Sequence, residues 1–326
     1  MKRIYVTGGN GFLGKAVVRA LARRAGVAQV VSMDLRPTAS TSRLANVIYL
    51  EGDVRDAPFA EQFSTHAIDT VVHLAAVIPT VRQNPKLEYE IDVLGSQRVL
   101  DACKEARVGK IVVSSSGAAY GYHPDNPAWL TEDAPLRGND EFPYSRHKRL
   151  LEEMLAQSRN THPELKQAVL RVCTILGEEV RNPITDLFDQ ARILAIKGSS
   201  SPFVFIWVDD VVNCIVRAAS TELSGAFNVA GDGALSMYEI AAMLGKPVRE
   251  VPAWLVMARL WLDQRRGRGG GPATVNFLRY RPVLSNARLK SEFGYVPALT
   301  SRAAFAKFIA VRYGGTVQSS TNPKQA

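Results

Sequence analysis

The stretch Thr7-Gly8-Gly9-Asn10-Gly11-Phe12-Leu13-Gly14 decides the fold. It follows a short β-like run, Lys2 to Val6, and opens a helical pattern. Backbone N–H groups approach a diphosphate closely only where side chains are absent. Gly8 permits the tight turn, Gly11 lets the pyrophosphate come near, and Gly14 lets the new helix pack on the strand. The helix N-terminus adds partial positive charge and free N–H donors. Asp34 ends the next apolar run, about 20 residues past the last glycine, where an acid binds a ribose 2′-hydroxyl. Strand, glycines, helix and acid stand in the right order for a dinucleotide-binding βαβ unit.

Outward from that stretch, apolar and amphipathic segments alternate. Ile4–Thr7, Val30–Asp34, Val47–Glu51, Thr70–Leu74, Lys110–Ser114 and Gln167–Val172 read as strands. Gly14–Arg24, Ala57–Phe63, Leu87–Ala106 and Tyr144–Ser158 read as helices. Near-continuous apolar strands in a βαβα rhythm predict an α/β protein: a Rossmann-type doubly wound parallel sheet. The length of 326 residues exceeds a single ordinary core, so a smaller C-terminal substrate lobe is expected. The expected division is 1–176 for the dinucleotide-binding domain, with 208–230 (the helix after Val208 and the strand Ala226–Val229) returning to it. Residues 177–207 and 231–313, punctuated by proline, form the lobe. Arg265–Gly271 reads as a mobile loop and 314–326 as a disordered tail. There is no internal repeat.

Composition narrows the function. Hydrophobic content of 46% and charged content of 22% are those of a soluble globular chain. No apolar run approaches the ~18 residues of a membrane span, and with Met1-Lys2-Arg3 running straight into the first strand a cleaved signal peptide is not expected. Cys103, Cys173 and Cys214 are odd in number and widely spaced, as expected of buried thiols in a reducing cytoplasm. The five histidines form no ligand pair at helical spacing, so no metal is expected. The net charge of +9 is concentrated late, at Arg259, Arg265, Arg266, Arg268, Arg279, Arg281, Arg288 and Lys290, without a nucleic-acid motif. A basic solvated face or attraction for an anionic substrate accounts for it, and nucleic acid is not an expected partner.

Tyr144-Ser145-Arg146-His147-Lys148 sets a phenol and an ammonium four residues apart on one helix face. A free phenol, with a pKa near 10, is a poor acid–base group at neutral pH. A cation about 4 Å away is worth on the order of 4 kcal/mol at an effective dielectric of 20. One lysine is therefore the right size of effect. The run Ser114-Ser115-Ser116-Gly117-Ala118-Ala119-Tyr120-Gly121 closes a strand, and ligands of parallel sheets bind beyond the carboxyl ends of their strands.

These motifs, with Asp53-Val54 and Leu74-Ala75-Ala76, stand in the order found in extended short-chain dehydrogenases/reductases. Over roughly residues 1 to 310 the chain resembles their NAD-dependent epimerase/dehydratase group. The resemblance implies that Tyr144 is the acid–base group, that Lys148 lowers its pKa and binds the nicotinamide ribose, and that Ser116 holds the reacting oxygen. It implies cofactor contacts from Gly8, Gly11, Phe12, Leu13, Gly14, Leu74, Ala75, Ala76, Tyr144 and Lys148. Asp53 and Val54 would flank the adenine. Asp34 favours NAD over NADP, since a carboxylate repels a 2′-phosphate, although Arg36 lies close by. The paired long helices, about 87–106 and 144–158, are a frequent dimer face in this superfamily, so a homodimer is expected.

The departures from the family concern the substrate. Phe203 stands where nucleotide-sugar epimerases carry an arginine for the substrate diphosphate, and Thr174 replaces a usual asparagine. Asp92 stands where a helix-opening asparagine is usual. Leaving a diphosphate unpaired is costly, which weakens the nucleotide-sugar reading, although Arg279 or Arg281 could supply a phosphate contact from the second lobe. The run Trp254–Leu262 is apolar nearly all round. It reads first as a helix buried in the lobe, second as a lid or a surface that docks on a partner or membrane. Phe203, Phe205 and Trp207 read as core.

The leading expectation is an NAD-dependent oxidoreductase moving hydride between nicotinamide and a secondary alcohol or ketone of a small molecule, with an apolar substrate as one option. The alternatives are a nucleotide-sugar epimerase or dehydratase without net cofactor turnover, and a non-catalytic dinucleotide-binding protein.

Overall fold

The computed structural model describes residues 1–77, 84–266, 271 and 274–314. The expected tail beyond Gly314 and most of the expected loop Arg265–Gly271 lie outside the described residues. In chain order the first half runs β1 (Lys2–Thr7), α1 (Phe12–Ala22), β2 (Val27–Asp34), β3 (Val47–Glu51), α2 (Phe59–Thr65), β4 (Thr70–His73), α3 (Pro85–Tyr89), α4 (Ser96–Glu105), β5 (Lys110–Ser116), α5 (Pro143–Thr161) and β6 (Lys166–Val172). Then follow β7 (Thr174–Leu176), α6 (Pro183–Asp189), β8 (Ile193–Ile196), β9 (Phe205–Trp207), α7 (Val208–Ser220) and β10 (Gly225–Val229). The chain continues with α8 (Met237–Leu244), β11 (Val248–Val251), α9 (Ala253–Arg265), α10 (Thr274–Arg279), α11 (Ala287–Ser291) and α12 (Ser301–Tyr313). A π turn, Glu90–Gly95, joins α3 to α4, so the two form one long helix with a wide turn inside it.

Seven strands make one parallel sheet in the order β10-β6-β5-β4-β1-β2-β3. Alternation along the strands sends apolar side chains to both faces. Ile4 and Val6 of β1 meet Val17, Val18 and Leu21 of α1 and the inner face of α7. Tyr5, between them, points the other way, to Phe59 and Phe63 of α2, among Val99 and Leu100 of α4 and Leu151 and Leu155 of α5. Both faces are covered, which is why these strands read as continuous apolar runs. Strand order reverses between β1 and β4, so the loops after them diverge and leave a crevice at the carboxyl edge. The glycine-rich turn lies at that point.

The remaining elements build two short parallel pairs, β8 with β11 and β7 with β9. Around them Phe188, Phe203, Phe205, Phe305 and Phe308 form an aromatic core. Their rings meet at centroid distances of 5.1–6.3 Å, and Phe203, Phe205 and Phe305 stack nearly parallel. Phe203, Phe205 and Trp207 are buried, as expected. The run Trp254–Leu262 is not. It forms most of α9, and no residue of that helix is buried. The expectation of a helix sunk in the lobe is therefore overturned. Apolar residues at every helical phase do not by themselves say which side faces the body, and here only a narrow side does. The three cysteines are free, and burial pushes their thiols up, away from reactivity.

Candidate active site

The glycine turn is held together by backbone alone. Gly11 N–H donates to Gly8 O at 2.9 Å, and Gly8 sits at φ +69°, a conformation that side chains disfavour. A Cβ on Gly14 would lie 2.0 Å from Gly8 O, so nothing larger than glycine fits there without moving the helix off the strand. No side chain caps the N-terminus of α1, and its first-turn amides are left for a ligand. These features fit the diphosphate of a dinucleotide.

Thr7 ties this turn to β4. Its hydroxyl donates to His73 Nδ1 at 2.8 Å and accepts from the Leu74 and Ala75 amides. His73 Nε2 lies 2.8 Å from Ser96 Oγ, which itself donates to Asp92 O. The Ser96 proton is thus committed, so the imidazole proton sits on Nε2. Burial, and then the Lys148 ammonium, push His73 down to about 4, so it is neutral at physiological pH.

Asp34, at the end of β2, accepts from the Asn10 and Arg36 backbone amides at 2.9 and 3.0 Å. It therefore braces the glycine turn, and a carboxylate keeps further lone pairs for a ribose. Arg36 lies beside it, Nε at 3.5 Å. Asp53 is paired with Arg55 at 2.6 Å, and that hydrogen bond holds its carboxyl below the usual range. Val54 is buried against the π turn, where a Cβ on Gly95 would come within 2.9 Å of it.

The serine-rich run and helix α5 come together across the crevice. Ser116 ends β5, with its Oγ accepting from Ala118 N–H at 3.1 Å. Tyr144 stands in the first turn of α5, directly after Pro143 at the helix start, where a missing N–H costs nothing. Lys148, one turn on, is buried. Its Nζ donates to Ser114 O at 3.2 Å and lies 5.8 Å from the Tyr144 ring centre.

What holds α5 in register was not foreseen from sequence. Glu152, one turn beyond Lys148, accepts from Ser115 Oγ at 2.6 Å and makes a forked pair with Arg171 of β6 at 2.8–3.1 Å. Arg171 also donates to Tyr120 OH and Glu132 O, and Tyr120 OH donates to Asn228 of β10. The network is buried and joins α5 to three neighbouring strands beside the serines. An arginine inside the apolar run Gln167–Val172 was the available sign. Asp92 and His147 were likewise missed as a pair. Both are buried, with Oδ2 and Nδ1 3.5 Å apart, and Asp92 Oδ1 accepts from the Val77 amide.

The glycine turn, the serine-rich run and the first turns of α5 face a single cavity of about 700 Å³. It is lined by Gly8, Gly11, Phe12, Leu13, Gly14, Leu74 and Ala76 on one side and by Ser116, Tyr144 and Lys148 on another. Asp34, Asp53, Val54 and Ala75 do not line it. Arg281 also lines it, buried, its guanidinium 3.9 Å from the Phe203 ring centre and 5.3 Å from that of Phe277. It donates to Ser201 O at 2.7 Å, while its Nε has no partner among the described residues. Burial pushes it down to about 9, so it remains a cation at neutral pH. No carboxylate pairs with it among the described residues. Phe203 is therefore a shelf for an arginine as well as core. Arg279 instead stacks on Tyr280 at 4.6 Å, outside the cavity lining. Among the described residues no cluster suits a metal.

The parallel sheet and the glycine turn define a Rossmann-type dinucleotide-binding protein. The chain belongs to the NAD-dependent epimerase/dehydratase family, whose sequence model matches residues 4–230. An uncharacterized protein of Mycobacterium tuberculosis is 25% identical over 93% of this chain and 82% of its own length. UDP-glucose 4-epimerase of Azospirillum brasilense is 32% identical over 54% of this chain, and the match spans half of the epimerase. Among solved structures, MoeE5 in complex with UDP-glucuronic acid and NAD superposes with a TM-score of 0.73 at 24% identity, over 96% of this chain and 99% of that one. UDP-glucose 4-epimerase of Thermus thermophilus in complex with NAD gives 0.72 at 23%, over 96% and 100%.

Proposed function

We propose that this enzyme moves hydride between NAD and a secondary alcohol or ketone, with Tyr144 as the acid–base group. The observation that carries the reading is the shared cavity: the glycine turn, Ser116, Tyr144 and Lys148 line one space. Gly8, Gly11, Phe12, Leu13 and Gly14 would hold the diphosphate, Asp34 the adenosine ribose, Asp53 and Val54 the adenine. Leu74, Ala75 and Ala76 would flank the cofactor, and Lys148 the nicotinamide ribose. NAD, when bound, supplies the hydride acceptor or donor. The Tyr144 oxygen takes the alcohol proton as phenolate in oxidation, becoming the phenol, and the phenol gives that proton to the carbonyl oxygen in reduction. Ser116 donates to the reacting oxygen and fixes its place. The Lys148 ammonium, held by Ser114 O, lies 5.8 Å from the Tyr144 ring centre, within reach of a ribose hydroxyl in the same cavity. Phe142, Val172, Ile175, Val180 and Phe277 give the wall an apolar stretch, beside the polar Thr174, Glu179, Arg181 and Asn182.

The second reading, a nucleotide-sugar epimerase or dehydratase, is favoured by Arg281. A buried cation without a carboxylate suits an anionic group of the substrate, and several relatives carry epimerase names. A panel of secondary alcohols, ketones and nucleotide sugars, read by reduced-nicotinamide absorbance, separates the two. Net oxidoreduction predicts an absorbance change and a cofactor that exchanges on gel filtration. Interconversion of sugars with tightly retained cofactor and no net absorbance change supports the second reading instead. Silence toward the whole panel in protein that binds NAD contradicts both.

A further inference from the structure

We propose that α9 docks this protein onto the surface of an anionic lipid membrane, independently of which substrate the cavity takes. The helix is turned inside out for a water-soluble protein. Trp254, Leu255, Met257, Trp261 and Leu262 are 40–63% exposed. At 3.6 residues per turn these five fall on one side, within an arc of about 160°. The opposite side, with Val256, Leu260 and Asp263, is half-buried and faces the protein body, with α10 packed alongside. Five large apolar side chains side by side on one surface exceed the scattered exposure normal for a monomer.

Charge selects the occupant. Between residues 253 and 268 the chain carries four arginines and a single acid, Asp263. That acid is half-buried and already bound to Arg259 at 2.8 Å. Arg265 and Arg266 are exposed at the C-terminal end of the helix, and the Arg265 guanidinium lies 3.6 Å from the Trp261 ring centre. A second copy of this face would bring arginine against arginine with no acid between them. The face is a convex helix side whose polar handles are two indole N–H groups and the Arg265 guanidinium, all donors, so it offers no acceptor or acid to a basic partner or a second copy. Tryptophan with arginine beside an aliphatic face is the composition that settles at the headgroup boundary of an anionic bilayer. The inner side of the helix packs against α10, whose Phe277 lines the cavity.

Sedimentation of the intact protein with vesicles tests this. Phosphatidylcholine vesicles containing phosphatidylglycerol should pellet the protein, and pure phosphatidylcholine should pellet at least tenfold less. The double variant W254S/W261S should lose at least tenfold in vesicle affinity, and R265E/R266E should lose the preference for anionic lipid. Both should keep the NAD affinity and melting temperature of the parent, which separates lost docking from lost folding. Parent protein that stays in the supernatant with anionic vesicles overturns the proposal. So does equal pelleting by the variants, or elution of the parent as a dimer that W254S/W261S dissociates. Capture of an acidic protein partner through α9, without vesicle binding, overturns it as well.

Discussion

His73 shows how one side chain couples the cofactor turn to the stability of the molecule. It is buried between Thr7 and Ser96, and both ring nitrogens are used by the neutral form. Its pKa falls from 6.5 to about 4 on folding. Between those values the unfolded chain binds the proton and the folded one does not, so stability rises with pH across that window. The contribution is complete above pH 6.5 and is lost as pH falls toward 4; its size is roughly 3 kcal/mol. Denaturant melts across this range should show the loss in the parent and a flatter pH dependence in His73→Gln. Identical slopes would contradict the assignment. The histidine was visible in the sequence only as the polar end of an apolar strand. Its partners lie 66 and 23 residues away, beyond the reach of local pattern.

At the scale of elements, α5 presents Tyr144 and Lys148 to the cavity at a depth and register set by a buried ion pair. Glu152 on α5 meets Arg171 on β6 and Ser115 on β5, so the turn bearing Lys148 cannot slide without breaking the fork. Glu152→Ala should destabilise the protein by about 3–5 kcal/mol, because it leaves Arg171 buried and unpaired. Replacing both partners by methionine should cost less than the single change. Chemical denaturation of the three proteins checks the order; a double variant less stable than the single one would contradict it. The helices and strands themselves were legible, since Val17 and Leu21, or Leu151 and Leu155, recur at helical spacing and the strands are apolar throughout. The exposed side of α9 was not. An all-apolar helix carries no phase, and only tertiary contact tells its inner from its outer side.

For the whole molecule, the strand order and its reversal between β1 and β4 bring together residues separated by more than a hundred positions in the chain. The glycines, serines, tyrosine and lysine were readable because each is a local motif at the end of a predicted strand or the start of a predicted helix. The cavity they line follows from the parallel sheet. Arg281 could be suspected, but its stacking between Phe203 and Phe277 joins segments that no local pattern connects. Asp92 and His147 lie on two helices whose meeting depends on the π turn. The division into a dinucleotide-binding domain and a substrate lobe remains our proposal, as does the homodimer.

The central claim is that the Tyr144 hydroxyl moves the proton in a cavity built for NAD. The most direct measurement is turnover and NAD affinity of Tyr144→Phe beside the parent, on whichever substrate the panel yields. The account predicts a loss of about 10²–10⁴-fold in kcat with NAD affinity within about twofold of the parent. Turnover at the parent's rate in Tyr144→Phe would contradict it.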